Sequence, residues 1–178
     1  MDNQQETALE LGWIAGLIDG EGTIGISIRS RRTENTGWTT KPHVQLSNTD
    51  MEIVDRYTGW LSKNGVPFHI SSYPAKGRRQ AHKTVVTAGL KRVARLLPLV
   101  LPYLTGNKKR AGVLVNEFVT SRLSDWHAAP FTERQLGIVK ELQSLHAKGR
   151  AQILRDYTRS SRSSKYPSYR DEDIVQAA

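Results

Sequence analysis

Apolar residues change their spacing near the start of this chain, and the change predicts a helix followed by a strand. Through residues 6–20 they recur three or four positions apart, which is typical of an amphipathic helix. From residue 23 to 32 polar and apolar residues alternate, with Ile24, Ile26 and Ile28 on one side. This alternation indicates a half-buried strand whose other side is basic.

The remaining elements follow from the same patterns and from turn and cap residues. We predict a loop at 33–40, strands at 42–47, 66–73 and 82–88, and helices at 51–63 (N-cap Asp50), 89–104, 107–123 and 132–146. The core order is α-β-β-α-β-β-α, followed by extra C-terminal helices. This order predicts an α+β fold in which helices cover one face of a four-stranded antiparallel sheet and leave the other face open.

We divide the chain into a core at 1–123, a C-terminal helical extension at 124–157 and a basic, flexible tail at 158–178. The tail is rich in Arg, Ser, Lys and Tyr and has few apolar residues, so we do not expect it to fold alone. A length of 178 residues suits one domain with such a tail.

The composition favours a polyanionic partner. Lys and Arg number 26 against 17 Asp and Glu, which gives a formal net charge of +9. Nucleic acid is the first candidate for such a partner, and an acidic membrane surface is the second. The chain has no cysteine, which excludes disulfides, thiolate metal sites and a cysteine nucleophile.

The sequence predicts neither insertion into a membrane nor secretion. The longest apolar run, 96–104, is too short to span a bilayer and contains two prolines. The first residues form no basic and apolar signal segment. We therefore expect no membrane partner. We expect a protein of the cytoplasm or nucleoid of a bacterium or phage host, or of the interior of an organelle.

The charges are segregated along the chain. Residues 1–22 hold five acids and no Lys or Arg, whereas residues 66–92 hold six basic residues and no acid. Residues 147–170 hold seven basic residues and one acid. This pattern predicts one surface that meets phosphate and a separate, local acidic site.

Small residues form a second stripe on the first helix. Ala8, Gly12, Gly16 and Gly20 follow one another at intervals of four and therefore lie on one face. Each helical glycine costs about 1 kcal/mol relative to alanine, and close packing against another helix would offset this loss. The stripe predicts a tight helix–helix contact; a weak helix near a flexible end is the alternative interpretation.

Two acids, Asp19 and Glu21, stand at the C-terminal end of this helix. That end carries partial negative charge and unpaired carbonyl groups, so each carboxylate is unfavourable there by about 0.3–1 kcal/mol. A divalent cation would reverse the sign, since Mg²⁺ prefers carboxylate and carbonyl oxygens. An acidic metal site beside a basic sheet is what phosphodiester hydrolysis requires. Two solvated acids are the simpler alternative.

The stretch from Ile14 to Gly22 reads Ile-Ala-Gly-Leu-Ile-Asp-Gly-Glu-Gly and resembles the motif of the LAGLIDADG homing endonucleases. It departs from that motif at Ile14, Gly20 and Glu21. The resemblance extends over residues 6–123, because the order of the predicted elements also matches. It implies a site-specific, intron-encoded endonuclease that hydrolyses double-stranded DNA at a long, near-palindromic site. The implied cofactor is Mg²⁺ or another divalent cation such as Mn²⁺.

The resemblance also implies roles for single residues. The implied metal ligands are Glu21 and the carbonyl of Gly20, and the implied catalytic residues are Glu21, Asp19 in a supporting role, Asn48 beside the attacking water, and Lys108. A lysine usually completes such a site. Ungapped comparison puts Asn107 at its place, and Lys108 follows directly.

In this family a saddle-shaped sheet reads the major groove, where the edges of all four base pairs can be distinguished. Alternation in the strands and the predicted hairpin put twelve side chains on that face. They are Ser27, Arg29, Arg31, Lys41, His43, Gln45, His69, Ser71, Tyr73, Arg78, Arg79 and Lys83. Arg29 and Arg31 suit guanine, and Gln45 suits adenine.

The chain contains one motif, and family members with one motif pair two chains. The resemblance therefore implies a homodimer whose interface includes Gly12, Trp13 and Gly16, with one Glu21 from each subunit. Three other functions stay open. They are an RNA maturase that binds intron RNA and assists splicing, a DNA-binding protein on the same scaffold without cleavage, and a basic RNA-binding protein that resembles the family only locally.

Overall fold

The computed structural model describes residues 3–30, 38–124 and 130–146. The elements in chain order are α1 (Asn3–Glu21), β1 (Gly22–Ser30), β2 (Trp38–Asn48), α2 (Met51–Lys63), β3 (His69–Tyr73), β4 (His82–Ala88), α3 (Leu90–Val100), a 3₁₀ turn (Leu101–Tyr103), α4 (Gly106–Ser124) and α5 (Glu133–His146). This order confirms the predicted α-β-β-α-β-β-α core and the last helix. The predicted tail at 158–178 lies outside the described residues.

Gly22 allows α1 to pass directly into β1. A Cβ atom on this residue would lie 2.6 Å from the carbonyl oxygen of Ile18 and 2.9 Å from its Cα atom. Both distances are far below van der Waals contact, so only glycine fits where the chain turns from helix to strand. This glycine is the last residue of the motif that the sequence singles out.

The sheet has four strands in the order β1-β2-β4-β3, and all neighbours are antiparallel. This confirms the predicted α+β class. The predicted loop was wrong in its last residues: β2 begins at Trp38, because Thr39 and Thr40 extend its pairing with β1. Threonine favours strands, and Pro42 is tolerated because pairing with β4 begins only at His43.

Asp50 caps α2 as predicted, since its carboxylate accepts hydrogen bonds from two backbone N–H groups of the first turn at 2.9 and 3.4 Å.

The turn after α2 shortens the next strand. After α2 the chain folds back, and the N–H of Val66 donates to the carbonyl of Leu61 at 2.9 Å. Val66 is therefore buried in the core rather than in a strand, and β3 begins only at His69.

The helices pack on one face of the sheet and bury it. Ile24, Val44, Leu46 and Val85 of three adjacent strands are each at most 1% exposed. They lie beneath α1, α2, α3 and α4, which contact β1, β2 and β4. The opposite face of the sheet is free of these four helices, as the sequence predicted.

α5 packs on α4 and extends the same core. Its apolar face joins the hydrophobic cluster through Ile138, Val139 and Leu142. The charged pairs that join α4 to α5, each at 2.6 Å, are Arg110 with Glu141 and Arg134 with Glu117. Among the helices that the structure describes, none has the length and apolar character needed to cross a membrane.

Candidate active site

Asp19 joins the end of α1 to the start of α4. Its Oδ2 atom accepts hydrogen bonds from the backbone N–H of Thr105 at 3.0 Å and from the hydroxyl of the same residue at 2.7 Å. The carbonyl of Thr105 accepts a helical bond from the N–H of Lys109 at 2.9 Å, so Thr105 is the N-cap of α4. The motif is thus tied to a helix whose first turn lies 86 residues away.

Lys108 reaches from the first turn of α4 to the motif. Its ammonium group donates a hydrogen bond to the carbonyl of Gly22, directly after Glu21. A cation is favourable there, because the C-terminal end of α1 carries partial negative charge. Asn107, which the ungapped comparison put at the place of the lysine, has an exposed side chain. Of the two candidates, Lys108 is therefore the one directed at the motif.

The oxygen atoms at the end of α1 are of a type that suits a divalent cation, but they are few. Glu21 and Gly20 are exposed, and Oδ1 of Asp19 is a buried carboxylate oxygen without a hydrogen-bond partner. Such oxygens are the ligand type that Mg²⁺ prefers. Within residues 3–30, 38–124 and 130–146, no three acidic or histidine side chains come together as a metal cluster. The described residues of one chain therefore offer oxygen ligands at the helix end without a complete metal cluster.

Asn48 lies at the end of β2, where the chain turns into α2. Its Oδ1 atom accepts a hydrogen bond from the backbone N–H of Asp50 at 2.8 Å. A side-chain bond of this kind to the residue two positions on stabilises the turn. In the described part of the chain, the hydrogen bond of this side chain is therefore to the turn and not to the motif.

The register puts four predicted DNA-facing residues of β1 and β2 on the sheet face opposite the helices. They are Ser27, Lys41, His43 and Gln45. Nδ1 of His43 lies 3.3 Å from the carbonyl of Lys41, to which it can only donate, and 3.3 Å from Oγ of Ser27. Arg29 belongs to β1, where its backbone pairs with Thr39, and Arg31 lies outside the described residues.

The hairpin of β3 and β4 extends this open face. His69, Ser71 and Tyr73 have the same parity as Gln45, and the ring of Tyr73 stacks on His82 with a centroid distance of 4.9 Å. Arg78 and Arg79 are exposed in the turn between the strands, and Arg79 pairs there with Lys76. The predicted basic hairpin is therefore present, with its charges concentrated at the tip.

Lys83 does not lie on the open face, and the prediction was wrong on this point. It pairs with Asn48 and Ser72, and so shares its side of the sheet with the buried residues Leu46 and Val85. Both alternate sets of residues in β4 contain apolar side chains, so the sequence pattern could not decide which set faces the helices.

His146 is a residue near the motif that the sequence did not single out. It is the last residue of α5, and its side chain interacts with the backbone of Ile24 and with the charge of Lys108. Thr105 was missed as well, although a threonine before a helix is a recognisable capping signal. His146 offers no such signal, because only the packing of α5 brings it to this place.

Two imidazoles with lowered pKa values, those of His43 and His146, lie at the β1 edge of the open face. Burial lowers the pKa of His43, and the neighbouring charges of His146 and Lys41 lower it further against an opposing hydrogen bond to the Lys41 backbone. Partial burial also lowers the pKa of His146, whose side chain stays accessible, and the charge of Lys108 acts in the same direction. Both shifts favour the neutral imidazole at neutral pH.

The glycine stripe of α1 faces open space in the described chain. A Cβ atom on Gly12, Gly16 or Gly20 would have no neighbour within 4 Å, so the predicted tight contact is not made within one chain. Trp13 is half-buried, and the guanidinium group of Arg56 lies 3.9 Å from the centre of its ring. The stripe is therefore free to accept a second helix.

The fold and the site together define a class of protein: an α+β domain with an acidic helix end beneath a partly basic open sheet. A comparison with known families matches residues 14–114 to the family described as LAGLIDADG endonuclease. The match covers more than half of the chain, which therefore belongs to the LAGLIDADG endonuclease family. A comparison with curated proteins gives no match.

Solved structures share the fold at low sequence identity. The homing endonuclease I-CvuI in complex with its target is 15% identical with a TM-score of 0.65, and the match covers 89% of this chain and 96% of that one. The archaeal intron-encoded homing endonuclease I-Vdi141I, complexed with DNA, is 17% identical with a TM-score of 0.68, over 86% and 94% of the two chains. I-SmaMI bound to cleaved DNA is 17% identical with a TM-score of 0.62, over 93% of this chain but only 52% of that one.

Proposed function

We propose that this chain is a site-specific, homing-type DNA endonuclease that acts as a homodimer and hydrolyses both strands of a long, near-palindromic site. Family membership supports the endonuclease class. The observation that carries the proposal is that the start of α4 bonds to the motif beside the exposed Glu21. Thr105 donates to Asp19, and Lys108 donates to the carbonyl of Gly22. Anionic and cationic groups held together in this way suit phosphodiester hydrolysis.

A divalent cation, Mg²⁺ or Mn²⁺, is the proposed cofactor. Glu21 and the carbonyl of Gly20 would hold it, and the unpaired Oδ1 atom of Asp19 adds a third oxygen at the same helix end. When bound, such a cation polarises the phosphate and lowers the pKa of water. The crystal structures of I-CvuI with DNA were determined in the presence of Ca in one case and of Mg, with the DNA not cleaved, in another.

The remaining catalytic roles belong to side chains of this chain. Lys108 would stabilise negative charge that develops on the phosphate, since its ammonium group is held at the motif by the Gly22 carbonyl. Asp19 would hold α4 in place through Thr105, which fixes the position of Lys108. Asn48 would orient water with the part of its carboxamide that the turn does not use.

The homodimer would form across the exposed stripe of α1, with Gly12 and Gly16 at its centre and Trp13 at its edge. Small residues let two helices approach closely, and the stripe has no neighbour among the described residues. A two-fold axis through this contact brings the two Glu21 carboxylates toward each other and completes the ligand set. I-Vdi141I and I-CvuI match this chain over nearly their whole length, as expected for single-motif chains.

DNA would lie on the open face of the sheet. A two-stranded ribbon fits the major groove, and the hairpin tip carries exposed arginines that suit phosphate or guanine. I-CvuI and I-Vdi141I were both solved with DNA bound. We extend the proposal to the organisation of the chain: residues 1–123 form the nuclease core, 124–157 an extension that supports it, and 158–178 a basic tail.

A cleavage selection on a randomised duplex library tests this function. Wild-type protein and Glu21→Gln are incubated in parallel with the library and Mg²⁺, and cut ends are sequenced. We expect a near-palindromic cut site with the wild type and no cleavage with the variant, because the neutral amide lacks the negative charge with which the carboxylate holds the cation.

Two other results would contradict the proposal. A sequence that both proteins bind and neither cuts would make this chain a DNA-binding protein. Binding of structured RNA in preference to every duplex would favour the maturase function. Affinity at a single salt concentration does not discriminate, because all three functions neutralise phosphates.

A further inference from the structure

α5 ends beside the candidate site, although it lies outside residues 14–114 that match the family. Three buried apolar residues and two ion pairs hold α5 along α4. Its last residue, His146, is therefore presented at a defined place rather than at the end of a loose helix.

His146 lies over β1 next to a second imidazole. Its Cε1 atom is 3.4 Å from the point that a Cβ atom on Gly25 would occupy, and Cε1 of His43 is 3.5 Å from the same point. A longer residue at Gly25 would compete for this space. The side chain of His146 also hydrogen-bonds to the backbone of Ile24 and lies within electrostatic reach of Lys108. The imidazole thus stands between the lysine at the motif and the open face of the sheet.

We propose that His146 is a DNA phosphate contact that α5 brings to the cleavage site, where it binds as the imidazolium beside Lys108. This inference rests on the proposed function, and it adds to that function a binding residue from the C-terminal extension. His146 is exposed, so a phosphate can reach it without displacement of α5.

The charges around His146 predict a proton linkage. In the free protein burial and Lys108 lower the pKa of His146, and burial lowers the pKa of His43. A bound phosphate supplies the opposite charge and raises the pKa, so DNA binding takes up a proton and tightens as the pH falls. Among the described side chains, Lys108 of α4 and His43 of β2 are the ionisable groups that face His146. Lys41 faces His43, and the residues of β1 that meet His146, Ile24 and Gly25, are uncharged.

The test measures the affinity for the selected duplex in Ca²⁺ at pH 6 and pH 8.5 over a range of salt concentrations. His146→Gln removes the titrating group. Ser144→Gln is the matched control, since Ser144 is exposed in the same turn of α5 and points about 200° away. At pH 6 we expect His146→Gln to reduce the slope of log K against log salt by about 0.9 per subunit. At pH 8.5 the two slopes should agree, and Ser144→Gln should match the wild type at both pH values.

A second variant keeps the test decisive if glutamine disturbs α5. His146→Arg carries a charge at every pH used, so its salt slope at pH 8.5 should equal the wild-type slope at pH 6. If His146→Gln lowers affinity equally at both pH values without a change of slope, the residue only supports the fold and the inference is wrong. If the wild type cuts its site and the salt slopes of all variants equal the wild-type slope, the inference about His146 is wrong and the proposed function stands. If the wild type binds no duplex, the proposed function fails with it.

Discussion

Gly22 at the start of β1 and the glycines Gly12 and Gly16 of α1 differ in what their surroundings require. Gly22 must be glycine because any side chain would collide with the Ile18 carbonyl 2.6 Å away. Gly12 and Gly16 could carry side chains without any collision inside the chain. Gly22 fixes the passage from helix to strand, and its own carbonyl, directly after Glu21, accepts the hydrogen bond of Lys108. Gly12 and Gly16 have no close neighbour among the described residues, as the proposed interface between two chains requires.

Substitution of Gly22 should destabilise the fold. We expect Gly22→Ala to lower the free energy of unfolding by roughly 1–3 kcal/mol, because the backbone of α1 must shift to admit a methyl group. Gly59→Ala in α2 is the control, since that glycine is exposed and has space for a Cβ atom. The control should gain up to about 1 kcal/mol from helix propensity. Urea denaturation measures the free energy of unfolding of both variants. Equal stability of Gly22→Ala and wild type would refute this role of Gly22.

The start of α4 is the element that assembles the site. Thr105 caps the helix and is held by Asp19, and three residues later Lys108 returns to the end of α1. α4 and α1 therefore fix each other at the place where the ligands of a cation would stand. A loss of this tie should affect catalysis more than binding, since the open sheet face does not depend on it.

The hydroxyl of Thr105 offers a test of that tie. We expect Thr105→Val to lower stability by about 1 kcal/mol and to slow single-turnover cleavage about tenfold, because the position of Lys108 becomes less fixed. Thr105→Ser retains the hydroxyl and should have the stability and the cleavage rate of the wild type. Single-turnover rates at saturating protein separate this effect from DNA affinity. Cleavage by Thr105→Val at the wild-type rate would show that the tie does not position the lysine.

Local signals in the sequence predicted most elements, and long-range contacts account for the rest. The cap at Asp50 and the helical spacing of α5 depend on neighbouring residues, and both predictions were confirmed. The early start of β2 and the face of Lys83 depend on strand pairing, which alternation in a partly apolar strand does not reveal. The bonds of Asp19 and the position of His146 join segments far apart in the chain, so no local pattern predicts them.

At the scale of the whole molecule, the described part of one chain leaves two features without a counterpart. Its helix end holds two acids and no metal cluster among the described residues, and its glycine stripe has no partner helix. A second copy would supply further metal ligands and a partner helix through the same contact. The proposed dimer therefore links the geometry of α1 to catalysis, and a change in the stripe should affect both.

A bulky residue in the stripe should separate the subunits. We expect the wild type to be a dimer at micromolar concentration and Gly16→Leu to be a folded monomer, because the leucine side chain blocks close helix approach. Gly59→Leu places the same side chain on an exposed helical glycine of α2 and should remain a dimer. Both variants gain similar helix propensity, so unfolding data would reveal any general damage. Sedimentation equilibrium decides, and a wild-type monomer or a dimeric Gly16→Leu would contradict the proposed interface.

The most direct test of the proposed mechanism is strand cleavage by mixed dimers. Wild type and Glu21→Gln are co-expressed with different affinity tags, and the heterodimer is isolated by two successive purifications. If each subunit cuts one strand through its own Glu21, the heterodimer nicks the selected duplex in one strand. The wild-type homodimer should cut both strands and the Glu21→Gln homodimer neither. Double-strand cleavage by either species that carries the variant would contradict the account.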